Sequence, residues 1–181
     1  DILLGKMLGI HGRIAQTDEF KKAGIVPKTI RVRRDGTIKE CMSFPPFDFI
    51  KLSQETEWEE SEFYNYLAPT KFLFVIFQEN ANGELVFERV QFWNIPVSDL
   101  EEVGRVWKRT VDTIRRGVVL RETARGVSND LPKQSESRVA HVRPHAQDGQ
   151  DRAKLPDGRM MTKQCFWLNN TYIAEQIREP K

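Results

Sequence analysis

The chain has 181 residues, long enough for one domain with its own core, and its 39% hydrophobic and 30% charged content fits a soluble globular protein. No apolar run approaches membrane-spanning length and no signal peptide is visible, so no membrane partner is expected. Two cysteines (Cys41 and Cys165) and three scattered histidines (His11, His141 and His145) exclude a disulfide framework and a Cys/His zinc site, although one disulfide is possible; a reducing compartment fits best, and a net charge of +2 names no partner.

Charge distribution says more than net charge. Residues 55–62 hold five acids and no base, whereas residues 105–125 hold Arg105, Lys108, Arg109, Arg115, Arg116, Arg121 and Arg125 against Asp112 and Glu122. Such segregation can build one basic face on a nearly neutral protein. The same residues also fit an ordinary solvated helix surface.

In chain order, residues 2–9 read as a short apolar helix weakened by glycines. Residues 25–33 alternate apolar and polar after Lys28, as a half-buried strand does. Arg34-Asp35-Gly36 supplies hairpin-turn chemistry, with Thr37 to Ser43 as the returning strand. Trp58 to Leu67 carries aromatics at helical spacing. Lys71 to Phe77 is a near-continuous apolar run, expected of a central strand, and pairs with 85–93 across a turn at 80–83.

Pro96 to Gly117 is the strongest helix, with Leu100, Val103, Val106, Trp107, Val111 and Ile114 in one stripe, Ser98 and Glu101 as a capping box and Gly117 as its exit. Residues 121–137 show no periodicity and read as a long polar loop. A short strand over 139–142, a loop over 146–162 with turns at Asp148-Gly149 and Asp157-Gly158, and a helix over 169–177 complete the chain. The expected architecture is a single α+β domain over residues 1–181, a central mixed sheet flanked by helices.

Two constellations carry chemistry. The first is Asp18-Glu19, then Pro27-Lys28, then Glu40. A carboxylate, a gap and an acid-x-Lys on a strand form a metal-dependent nuclease pattern, in which carboxylates hold Mg²⁺ and the lysine supports the attacking water. Here Val26 stands where the second carboxylate is needed, and valine cannot ligate a hard cation. On spacing alone, Lys28 fits equally a strand residue facing solvent. The second constellation is Arg143-Pro144-His145 with Lys163, Gln164 and Trp167. Arg can grip guanine O6 and N7 with two hydrogen bonds, and aromatics with amides can read neighbouring base edges. The same residues also fit an exposed strand end and a buried aromatic pair. There is no Gly-x-Ser-x-Gly elbow and no phosphate-binding Gly-Lys-Ser/Thr loop.

The order Glu19-Phe20, Lys28-Thr29-Ile30, Glu40, Trp58-Glu59, Lys71-Phe72-Leu73-Phe74-Val75, the Trp107 helix, His141-Val142-Arg143-Pro144-His145-Ala146 and Lys163-Gln164-Cys165-Phe166-Trp167-Leu168-Asn169 resembles the MutH family of GATC-specific endonucleases. It resembles more closely the Sau-type type II restriction enzymes within that family. The resemblance implies a PD-(D/E)-x-K nuclease fold with a DNA-binding cleft between two sub-lobes. It implies vestigial catalytic positions at Glu19, Lys28 and Lys71, with Gly5 and Val26 in place of two carboxylates. Each missing catalytic group costs roughly 10²-fold or more, so this domain is expected to hold no metal and no cofactor, Mg²⁺ belonging to the full-length nuclease.

Base readout falls to Arg143, His145, Glu40 and Trp167, and phosphate contact to Lys163, Arg152, Lys154, Arg159, Arg116, Arg121 and Arg125. Trp167 replaces a tyrosine that the family implicates in sensing adenine methylation. Sau-type enzymes pair a cutting domain with a second, allosteric effector domain that binds another copy of the site. A chain that starts at Asp1 rather than Met fits that second domain, excised from a longer bacterial cytoplasmic enzyme. Its expected partners are GATC duplex DNA and the catalytic domain. An active Mg²⁺-dependent GATC endonuclease and an α+β interaction module without a DNA role are the competing readings.

Overall fold

The computed structural model describes residues 20, 22–124 and 126–178. In chain order the strands are β1 (Ile25–Val32), β2 (Met42–Ser43), β3 (Lys71–Glu79), β4 (Leu85–Trp93), β5 (Arg121–Thr123), β6 (Gly126–Ser128), β7 (Ala140–Pro144), β8 (Arg152–Lys154), β9 (Met160–Thr162) and β10 (Gln164–Leu168). The helices are α1 (Phe49–Gln54), α2 (Glu62–Leu67), α3 (Val97–Arg116) and α4 (Asn170–Gln176). The α+β class is as expected. The expected mixed sheet is β1-β3-β4, and it is accompanied by a second three-stranded sheet, β2-β10-β7, and by the hairpins β5-β6 and β8-β9.

The first sheet is mixed. β1 runs parallel to β3, with Lys28 beside Phe74, and β3 runs antiparallel to β4. Phe72 to Ile76 are all buried, because β3 is central and both its faces are covered. Even-numbered Phe72, Phe74 and Ile76 enter the main core with Ile30 and Val32; odd-numbered Leu73 and Val75 form a second cluster with Phe20, Ile25 and Phe77.

The second sheet is antiparallel, and every residue of β10 is buried. The main core joins both sheets, with Phe44, Phe63 and Phe166 meeting Phe72, Trp93 and Trp107. Phe63 stacks on Phe166 with ring centroids 4.4 Å apart. Filling this core with large rings stabilises the fold by roughly 2 kcal/mol per ring.

The Asp35-Gly36 turn forms, and Asp35 accepts from the Thr37 backbone and hydroxyl. The returning strand does not follow as expected. After one bridge between Val32 and Ile38, the chain leaves the first sheet and pairs Met42 and Ser43 with β10. Burial of Met42 and Phe44 in the shared core outweighs hairpin extension here.

Helix α3 buries its expected stripe against the core. Its cap departs from expectation: the helix begins at Val97, Pro96 is the extended N-cap residue, and Ser98 lies inside the first turn, where it cannot cap. Gly117 ends α3 at φ 95°, a conformation that costs glycine little.

Two regions expected as loops contain strands. Residues 121–137 hold the β5-β6 hairpin, a short 3-10 turn (Gln134–Glu136) and the buried Leu131. Residues 146–162 hold the β8-β9 hairpin, closed by the expected Asp157-Gly158 turn over buried Leu155. Strands of three residues are too short to show a period. The expected helix at 2–9 lies outside the described residues. Cys41 and Cys165 are free thiols. Among the described residues no helix is long and apolar enough to cross a membrane.

Candidate nucleic-acid interface

The β7-β10 register places Cys165 opposite Arg143 and Trp167 opposite His141, so these four side chains share one face of the second sheet. Trp167 is at its centre. The Arg143 guanidinium lies 4.1 Å from the Trp167 ring centroid, His145 meets the ring edge-on at 5.4 Å, and the His141 ring lies nearly parallel at 6.5 Å. The indole Nε1 donates to the Arg143 carbonyl at 3.3 Å. Trp167 is only 9% exposed, whereas Arg143 and His145 face solvent. The tryptophan thus carries the arginine. Stacking of this kind stabilises by roughly 0.5–2 kcal/mol and leaves the guanidinium edges free to donate.

His141 is buried and anchors this face from below. Its Nδ1 donates to Asn169 Oδ1 at 2.6 Å; the acceptor role follows because Asn169 Nδ2 is committed to the Ser137 and Arg138 carbonyls. Asn169 precedes α4 yet makes no side-chain cap, because the oxygen that would cap accepts from His141 instead. Burial lowers the His141 pKa below the ordinary histidine value; the bond to Asn169 opposes this and the Arg143 charge adds to it. The ring is therefore neutral near pH 7.

Lys28 is half-buried rather than on a solvent face. Its Nζ donates to the Ser43 carbonyl at 2.9 Å and lies 5.6 Å from the Phe44 ring centroid, tying the first sheet to the second. Burial lowers its pKa, and the neighbouring Cys165 thiol opposes the shift. Burial pushes that thiol up to about 11, against the weaker pull of Arg143 and Lys28. Val26, on the same strand face as Lys28, packs against the core.

Lys71 lies on the opposite face of the sheet, 5.9 Å from the Phe92 ring centroid. Glu40 pairs with Arg31 at 3.7 Å and lines, with Lys28 and Ser43, a cleft of about 140 Å³ between β1 and β2. Lys28 and Glu40 thus meet in one cleft, while among the described residues no ion pair or hydrogen bond joins Glu40 to Arg143. Gly5 and Glu19 lie outside the described residues. Among the described residues no three His, Cys, Asp or Glu side chains gather to hold a metal.

The expected phosphate contacts divide into two groups. Lys163 pairs with Asp151 at 2.6 Å, Arg159 with Asp157 at 2.6 Å and Arg116 with Asp130 at 2.9 Å. Exposed Arg121, Arg152 and Lys154 have no carboxylate partner among the described residues, and all three are on the two hairpins. Arg125 lies outside the described residues. Between the hairpins is a cleft of about 110 Å³ that reaches Pro144 at the end of β7. Sequence reasoning missed these hairpins and the Lys28-Ser43 link, since neither leaves a periodic signal.

No family model matches this chain. It is 34% identical, over an alignment of 197 residues, to the type II restriction enzyme Sau3AI of Staphylococcus aureus. The alignment covers 91% of this chain but 40% of that enzyme, so the chain spans about two fifths of its relative's length. This similarity makes the chain a relative of a type II restriction endonuclease.

Proposed function

We propose that the chain binds duplex DNA at GATC sites, as the catalytically silent effector domain of a MutH-like type II restriction endonuclease in the bacterial cytoplasm. The fold under this proposal is a PD-(D/E)-x-K variant, and its partners are GATC duplex and the enzyme's cutting domain. The observation that carries the reading is the Arg143-Trp167 stack, in a chain related to a restriction enzyme.

The stack fixes the guanidinium plane, so its donors reach guanine O6 and N7 with little further loss of side-chain entropy. His145, edge-on to the same ring, reads beside it. Glu40 accepts from a cytosine amino group. Arg121, Arg152 and Lys154 bind phosphates, which position the protein without specifying sequence.

Mg²⁺ is the metal such a nuclease implies, and the described residues do not fit it. Val26 offers no oxygen, and Lys28 is committed to a carbonyl as a donor.

A gel-shift comparison of GATC and scrambled duplexes, with and without Mg²⁺, tests the reading. Preferential, salt-sensitive binding of GATC without cleavage is the expected result. Equal binding of both duplexes removes the specific-recognition claim, and cleavage in Mg²⁺ replaces the silent domain with an active nuclease.

A further inference from the structure

Gln164 opens β10 and is 1% exposed. Its Nε2 donates to the Thr162 carbonyl at 2.9 Å, but its Oε1 has no partner among the described residues. A buried acceptor left unpaired costs about 1–3 kcal/mol, so such a group in a folded protein calls for a ligand or a water. Gln164 and Thr162 both line the 110 Å³ cleft between the two hairpins. Leu120 and Val127 line it from the β5-β6 side, Met160 from the β8-β9 side, and Arg152 stands beside them. Val127 is 65% exposed and Met160 51%, a large apolar exposure for hairpin side chains in a mostly polar surround. Pro144 pairs directly with Gln164, so the cleft opens on the sheet face opposite Arg143, one residue further along β7.

We propose that this cleft holds a single unpaired nucleobase, with Gln164 Oε1 accepting from the exocyclic amino group of cytosine or adenine. Proteins hold a base removed from the stack between apolar side chains and read its pairing edge with fixed polar groups; Val127 and Met160 supply the walls and Gln164 the reader. Arg152 and the nearby Arg121 bind the flanking phosphates. The inference rests on the DNA-binding reading and extends it to a second kind of contact.

The test compares three duplexes by fluorescence anisotropy: an intact GATC duplex, the same duplex with one extra cytosine, and the same duplex with an abasic residue in place of that cytosine. The expected result is a roughly tenfold preference for the extra cytosine over the abasic residue. That preference vanishes in Gln164→Met, which keeps the side chain's length but not its acceptor. Met160→Asp, at an exposed wall position, also abolishes it and serves if Gln164→Met fails to fold. Equal affinity for cytosine and abasic duplexes overturns the inference while leaving intact-duplex binding, and the proposed function, standing. A preference unchanged in both variants also overturns it, and leaves the Gln164 oxygen to a water molecule. Failure to bind any duplex overturns both readings.

Discussion

Arg143 and Trp167 hold each other twice: the guanidinium lies 4.1 Å from the indole ring centroid, and the indole N–H donates to the Arg143 carbonyl at 3.3 Å. One residue thereby orders both the side chain and the backbone of the other. Arg143→Ala is expected to cost roughly 1–3 kcal/mol of GATC affinity and to narrow the gap between GATC and scrambled duplexes. Trp167→Phe keeps a ring face but loses the donor, so its loss should be smaller, about 1 kcal/mol. Anisotropy titrations of both variants check this ordering. A larger loss for Trp167→Phe than for Arg143→Ala would mean that the ring itself meets the DNA.

Phosphate contacts leave a different signature. Arg152→Ala and Lys154→Ala should weaken GATC and scrambled duplexes alike, each reducing the slope of log affinity against log salt by about one unit. Lys163 is held by Asp151 at 2.6 Å, so Asp151→Asn should free it and tighten binding to all duplexes. Titrations at several salt concentrations decide. A loss confined to the GATC duplex would assign Arg152 to base reading instead.

Gly104 sets two stability terms against each other. Alanine there would gain up to about 1 kcal/mol of helix propensity. A Cβ, however, would lie 2.9 Å from Cδ1 of Trp58, whose ring is wedged against Phe63, Tyr64 and Trp107. Overpacking against so confined a ring costs about 1–3 kcal/mol, so Gly104→Ala should lower the urea midpoint. A raised midpoint would show that Trp58 moves aside.

The pH dependence of stability should report His141. Its folded pKa lies below its ordinary value of 6.5, so on acidification the unfolded chain takes up the proton first. More protons bound to the unfolded state means that stability falls with pH, starting near 6.5 and continuing to the folded pKa. His141→Gln removes this segment of the curve. Urea midpoints at pH 7.5 and 5.5, measured for both proteins, should converge at the lower pH. Parallel curves would mean that another group titrates there.

Much of the fold was legible in local pattern. The apolar run at 71–77, the Asp35-Gly36 turn and the α3 stripe each carry their own signal over a few residues, and all three are present. The exit of the chain after Ile38 was not legible, because pairing of Met42 with Leu168 depends on a strand more than a hundred residues away. The short hairpins were hidden for another reason: three-residue strands are too short to carry a periodic signal and look like loop until a neighbouring surface orders them.

The candidate site divides along the same line. By itself the sequence determined which residue types are available: an Arg-Pro-His corner, a Phe-Trp pair in a following strand, and a valine in place of a carboxylate before Lys28. Tertiary structure alone decided their relations. Strand register put Arg143, His141 and Trp167 on one face, and sheet alternation put Lys28 and Lys71 on opposite faces. Packing of two sheets around one core brought Lys28 to the Ser43 carbonyl. Side-chain identity is a property of the chain, whereas which side chains meet is set by long-range pairing, where the burial of a whole face outweighs any local preference.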